Sequence, residues 1–148
     1  MAHTYISQLV HCVFSTKDRL NSIRDDVRPE LWSYIGGIAR TNHMKAIAIG
    51  GTANHVHILL SLPATIPLAK AMQLIKGGSS KWLHEKMGSR FQWQESYGAF
   101  TLSVSHLKAT IDYIHSQADH HAKRNFEDEF RGFLTRHGIA FDEKYMFA

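Results

Sequence analysis

Apolar and polar positions along this chain change their period several times, and each change marks an element. From Tyr5 to Ser15 the run is rich in strand formers and free of Gly and Pro, which predicts a first, central strand; polar Thr16-Lys17-Asp18-Arg19 ends it. Leu31, Ile35 and Ile38 then recur at helical spacing between Pro29 and Arg40, with Asp25 and Asp26 as N-terminal caps and Pro29 suited to a first turn. Alternating Ile47 and Ile49 predict a second strand over residues 45–50. The turn residues Gly50-Gly51-Thr52-Ala53-Asn54 lead back into a third strand, 54–60, as a hairpin. Successive strand side chains point to opposite faces, so Val56, Ile58, Leu60 and Leu62 make one apolar row while His55 and His57 stand together on the other.

A second helix is predicted from Pro67 to Lys86, its core stripe formed by Leu68, Met72, Ile75, Trp82 and Leu83. Gly77-Gly78 lies inside it, and two interior glycines cost about 1 kcal/mol each relative to alanine. They call for a kink, close packing, or close approach of a phosphate backbone. A fourth strand follows over 98–104, a third helix over 105–120, and a shorter one over 126–136. The order strand, helix, strand, strand, helix, strand is that of an α+β, ferredoxin-like split βαβ fold: a four-stranded antiparallel sheet with two helices on one face. The third helix is then the candidate to cover the open face, near the His55/His57 strand. At about 100° per residue, Leu107, Ile111, Ile114 and Ala118 form its apolar stripe, and His106, Tyr113, Gln117 and His120 lie on a separate row.

A length of 148 residues with 44% hydrophobic and 20% charged residues suits one domain spanning 1–148. Single Cys12 has no intrachain partner, no apolar run reaches membrane-span length, and no charged-then-apolar leader opens the chain, so a cytoplasmic, membrane-free setting is expected. The net charge of +4 is uneven: residues 67–110 carry six Lys/Arg against two acids, residues 111–148 five against seven. A basic middle suits a polyanionic partner, or is simply a solvated face. Lys76 and Lys81 flank the Gly77-Gly78-Ser79-Ser80 stretch, and Lys17 and Arg19 follow the first strand; these four are the expected phosphate contacts.

His55 and His57 on a rigid strand form a preorganised pair of imidazoles, although an isolated His-x-His also occurs as plain strand histidines. A third donor of Gln type leaves open positions on a hard divalent ion that can grip a phosphodiester oxygen. Tyr113 beside it is a nucleophile candidate, and a phenol with a pKa near 10 needs such an ion to stabilise the charge that develops on the phosphoryl oxygens.

Five stretches taken together resemble the single-tyrosine HUH transposases of insertion sequences, including the REP-associated tyrosine transposases. They are residues 11–19, Asn54-His55-Val56-His57, residues 75–83, residues 93–100 and residues 113–121. The resemblance implies His55 and His57 as metal ligands, Tyr113 as the nucleophile and Gln117 as third ligand, with His120 as a possible replacement or addition; His121 reads as structural or phosphate-facing. It further implies Mg²⁺ or Mn²⁺ as cofactor and single-stranded DNA next to a hairpin as substrate. The expected chemistry is nicking and rejoining through a 5′-phosphotyrosine. Insertion-sequence members are homodimers in which Tyr acts in trans, so a homodimer with Tyr113 in trans is expected, while REP-associated members can be monomeric. The alternative is a non-catalytic binder of hairpin DNA or RNA with a vestigial metal site.

Overall fold

The computed structural model describes residues 3–121 and 123–148. Its elements are β1 (Leu9–Ser15), α1 (Arg28–Thr41), β2 (Lys45–Gly51), β3 (His55–Ser61), α2 (Leu68–Met87), β4 (Gly98–Leu102), α3 (Leu107–His115), α4 (Gln117–His121) and α5 (Phe126–Arg136). The strands form one antiparallel sheet in the order β2-β3-β1-β4. This is the ferredoxin-like arrangement expected from the element order.

Alternation decides which face each strand residue serves. Val10, Cys12 and Phe14 of β1 and Val56, Ile58 and Leu60 of β3 pack with Leu31 and Ile35 of α1 and Met72, Ile75 and Leu83 of α2 into the main core. Burial of each such aliphatic side chain is worth about 1.5–3 kcal/mol. Burial also pushes the Cys12 thiol up to about 12, as suits an inert core residue. The second face is covered in two parts. Ile114 of α3 packs on Ala48 and Leu59, and Phe126, Phe130, Phe133 and Leu134 of α5 pack on Val13 and Phe100. Between these two apolar patches runs a seam of buried polar side chains, His11, His55, His57, Gln117 and Glu129.

Several boundaries differ from the sequence expectation. β1 starts at Leu9 and not at Tyr5, because Leu9 is the last residue with partners on both sides, Ser61 and Leu102; Tyr5 beyond it is 94% exposed. β4 ends at Leu102 for the same reason, and Val104–His106 turn into a short 3-10 helix. Of the readings offered for Gly77-Gly78, a kink is not seen, since α2 runs uninterrupted, and close packing is. Gly78 is a packing residue: a Cβ there would lie 2.8 Å from Ile38 Cδ1 on α1. The expected third helix is interrupted at Ser116, whose N–H bonds the Tyr113 carbonyl at 3.2 Å, and so divides into α3 and α4.

Candidate active site

The two strand histidines are fully buried on the second face, each with its outer nitrogen engaged. His55 Nδ1 lies 2.8 Å from Asn54 Oδ1 and 3.0 Å from Thr52 Oγ1, so it can donate to the amide oxygen or accept from the hydroxyl. Burial and the neighbouring His57 lower the His55 pKa to about 3, so the ring is neutral and one of its two nitrogens carries a bare lone pair. His57 Nδ1 shares a hydrogen bond of 2.7 Å with Nε2 of His11, a buried imidazole on β1 whose own pKa burial also lowers to about 3.

Gln117 reaches the pair from α4. Its Nε2 donates to the Tyr113 carbonyl at 3.1 Å and its Oε1 faces His55 Nε2 at 3.0 Å. With the proton on Nδ1, His55 Nε2 and Gln117 Oε1 present two lone pairs to one another, an arrangement that suits a cation; with the proton on Nε2, the contact is a hydrogen bond donated to Gln117 and Nδ1 accepts from Thr52 Oγ1 at 3.0 Å.

Glu129 is the centre of the site, and it comes from α5. Its Oε1 lies 2.9 Å from His57 Nε2 and 3.9 Å from His55 Nε2, its Oε2 lies 3.2 Å from His121 Nε2, and Oε2 accepts a very short hydrogen bond from the Tyr113 hydroxyl. Burial raises its pKa, but His121, His57 and Tyr113 outweigh that and hold the carboxyl well below the usual carboxylate range. The Tyr113 phenol moves the other way, raised first by burial and then by its bond to the Glu129 carboxylate. His121 Nε2 is buried and has no hydrogen-bond partner among the described residues. One donor atom each from His55, His57, His121 and Glu129 falls within 4.8 Å of the others, a spacing that can hold a metal ion.

Sequence reasoning placed His55, His57, Tyr113 and Gln117 together, and the structure does the same. His120 is not part of the cluster: it is exposed, its ring tilted over Tyr113 at 4.6 Å. The imidazole that turns inward is its neighbour His121, 4.3 Å ring to ring from His55. Glu129 went unrecognised although a signal was present: it sits on the inward stripe Phe126, Glu129, Phe130, Phe133 of an otherwise aromatic helix face, where an acid needs partners. Within one chain, Tyr113 lies 5.8 Å ring to ring from His57.

The expected phosphate contacts are dispersed. Lys17 and Lys81 are exposed. Arg19 pairs with Glu127 at 2.9 Å and lies over the Phe147 ring. Lys76 departs from the expectation: its ammonium donates to the carbonyls of Gln94, Glu95 and Ser96 at 2.6, 3.0 and 2.9 Å, which fixes that loop, and burial lowers its pKa to about 8.

The profile of a known family, the IS200-like transposases, matches residues 4–117. The chain belongs to this family. It is 26% identical over 126 residues to the transposase for insertion sequence element IS200 of Salmonella typhimurium, covering 80% of this chain and 82% of that one. It is 28% identical over 123 residues to the ISDra2 transposase TnpA of Deinococcus radiodurans, covering 78% and 88%. Among solved structures, a REP-associated tyrosine transposase bound to a REP hairpin superposes with a TM-score of 0.58 at 16% identity, covering 77% of this chain and 68% of that one. That likeness bears on the fold. The enzyme class is accordingly that of a transposase, which cleaves and rejoins DNA. No helix among the described residues is long and apolar enough to cross a membrane.

Proposed function

We propose that this chain is a metal-dependent single-stranded DNA endonuclease and strand transferase that acts at hairpin-flanked sites through a 5′-phosphotyrosine formed on Tyr113. The observation that carries the reading is the placement of the Tyr113 hydroxyl on Glu129, which itself touches His57. Nucleophile, proton acceptor and the family's histidine pair thus share one buried pocket. The Tyr113 oxygen attacks the scissile phosphorus as its proton passes to Glu129 Oε2. The P–O3′ bond breaks, and the departing oxygen takes up a proton to become the free 3′-hydroxyl. Held between α3 and the sheet, the phenol needs little reorganisation to attack. His55, His57 and Gln117 are the family's implied donors for Mg²⁺ or Mn²⁺, and the 3.0 Å approach of Gln117 Oε1 to His55 Nε2 fits that role. When bound, the cation supplies positive charge to the phosphoryl oxygens.

The hairpin substrate is favoured by the family relationship and by a cavity of about 750 Å³ lined by Lys17, Lys76, Ser80, His84, Trp93 and Gln94 on one flank of the molecule. Lys17 is the exposed ammonium group for phosphate there and Lys76 holds the cavity wall, while Lys81 is exposed on α2 outside the cavity lining. Labelled single-stranded DNA carrying the hairpin and flank of its element should become covalently attached to the protein on a denaturing gel, and Tyr113→Phe should abolish that adduct while hairpin binding persists. Hairpin binding by the unaltered protein without any adduct would instead favour the non-catalytic reading.

A further inference from the structure

The family profile ends at residue 117, yet two of the four clustered donors lie beyond it, His121 on α4 and Glu129 on α5. We propose that His121 and Glu129 are ligands of the divalent cation, so that the C-terminal helices of this chain add a third imidazole and a carboxylate to His55, His57 and Gln117. The inference rests on the metal-dependent reading above and extends its ligand set.

Three observations support it. His121 Nε2 is buried 3.2 Å from Glu129 Oε2 without hydrogen-bond geometry to any described residue, so a nitrogen donor and a carboxylate oxygen sit side by side as two ligands of one ion would. Both strand histidines have an outer acceptor that suits the metal-binding tautomer: donation from His55 Nδ1 to Asn54 Oδ1 and from His57 Nδ1 to His11 Nε2 leaves both Nε2 atoms bare toward Gln117 and Glu129. Such outer hydrogen bonds, which set the tautomer and the ring orientation, accompany metal-binding histidines in general. Finally, α5 is anchored independently of the polar seam. Phe126, Phe130 and Phe133 pack on Val13 and Phe100, so Glu129 is presented by a rigid element.

The donor set also bears on the kind of ion. Mg²⁺ prefers oxygen ligands and retains its waters, whereas imidazole suits first-row transition metals. Three imidazoles with a single carboxylate therefore favour Mn²⁺, Co²⁺ or Zn²⁺ over Mg²⁺.

The test uses the full chain stripped with chelator and titrated with Co²⁺, read by visible absorption and by calorimetry. His121→Ala and Glu129→Gln should each weaken binding by at least about tenfold, and His120→Ala should leave it unchanged. In the unaltered protein, ¹⁵N spectra of the imidazoles on Zn²⁺ addition should shift the Nε2 resonances of His55, His57 and His121 together, a measurement that needs no variant to fold. Unchanged Co²⁺ affinity in both variants with loss in His57→Ala, or a His121 resonance that does not move, overturns the proposal and leaves the metal-dependent reading standing. Unchanged affinity in His57→Ala overturns both.

Discussion

The two faces of the sheet are built from the same strands yet hold together in different ways. On one face, Val56, Ile58 and Leu60 meet the aliphatic stripes of α1 and α2, with the Ser79 hydroxyl, which accepts from Trp93 Nε1, as a buried polar group in that layer. On the other, the same strand offers His55 and His57, and the covering helices bring Gln117, His121, Tyr113 and Glu129 to meet them. The first face supplies stability by area. The second surrenders part of that area to polar groups that must satisfy each other, and it recovers apolar burial at the flanks through Ile114 and the α5 phenylalanines. Substitutions on the first face should therefore act on folding, and substitutions in the seam on chemistry.

The largest effect separating the faces is all-or-none, and it bears on whether the seam is complete in one chain. Tyr113→Phe and His57→Ala should each be devoid of adduct formation. Mixed in equal amounts, they should remain so, because Tyr113 already rests on the histidines of its own chain. Recovery of adduct in the mixture, read on a denaturing gel, would mean that α3 is exchanged between two copies and that the tyrosine acts in trans.

Next in size is Ile58→Ala on the apolar face. Ile58 is fully buried among α1 and α2 residues, and such truncations cost about 2–5 kcal/mol. Chemical denaturation should show that loss, whereas the rate of adduct formation per folded molecule should stay close to that of the unaltered chain. Gly50→Ala tests the opposite face. A Cβ at Gly50 would fall 2.2 Å from the Ile114 carbonyl oxygen, which belongs to the backbone of α3 and cannot rotate away. The helix must shift, at a cost of about 1–3 kcal/mol, and Tyr113 shifts with it. Stability and adduct rate should fall together, where Ile58→Ala separates them.

The same contrast explains which parts of the chain were legible beforehand. The period of two in residues 54–62 was enough to assign both faces of β3 and to place the histidines opposite the core, and the helical spacing of Tyr113 and Gln117 was enough to join them. Glu129 was hidden because its partners lie 72 and 16 residues away, at His57 and Tyr113, and no local period reports a contact made across the fold. His121 was legible in place but not in role: it follows Ile114 by two helical turns, on the apolar stripe, and so reads as structural until Glu129 is brought beside it from α5. Lys76 looked like a phosphate contact because charge counts cannot see three carbonyl oxygens converging from residues 94–96.

The smallest expected effect has the opposite sign and concerns the outer side of α2. Gly77 is exposed in the middle of a continuous helix, and a Cβ there would meet nothing within 4 Å, whereas one at neighbouring Gly78 would press on Ile38. Helix propensity is then the only term in play for Gly77→Ala, and it favours alanine by about 0.8–1 kcal/mol. The variant should melt higher than the parent and bind hairpin DNA with the same affinity and the same dependence on salt. A raised melting temperature accompanied by weaker DNA binding would show that the bare backbone at Gly77 approaches a phosphate. The outer side of α2, between Lys76 and Lys81, would then belong to the DNA path in addition to packing the apolar face.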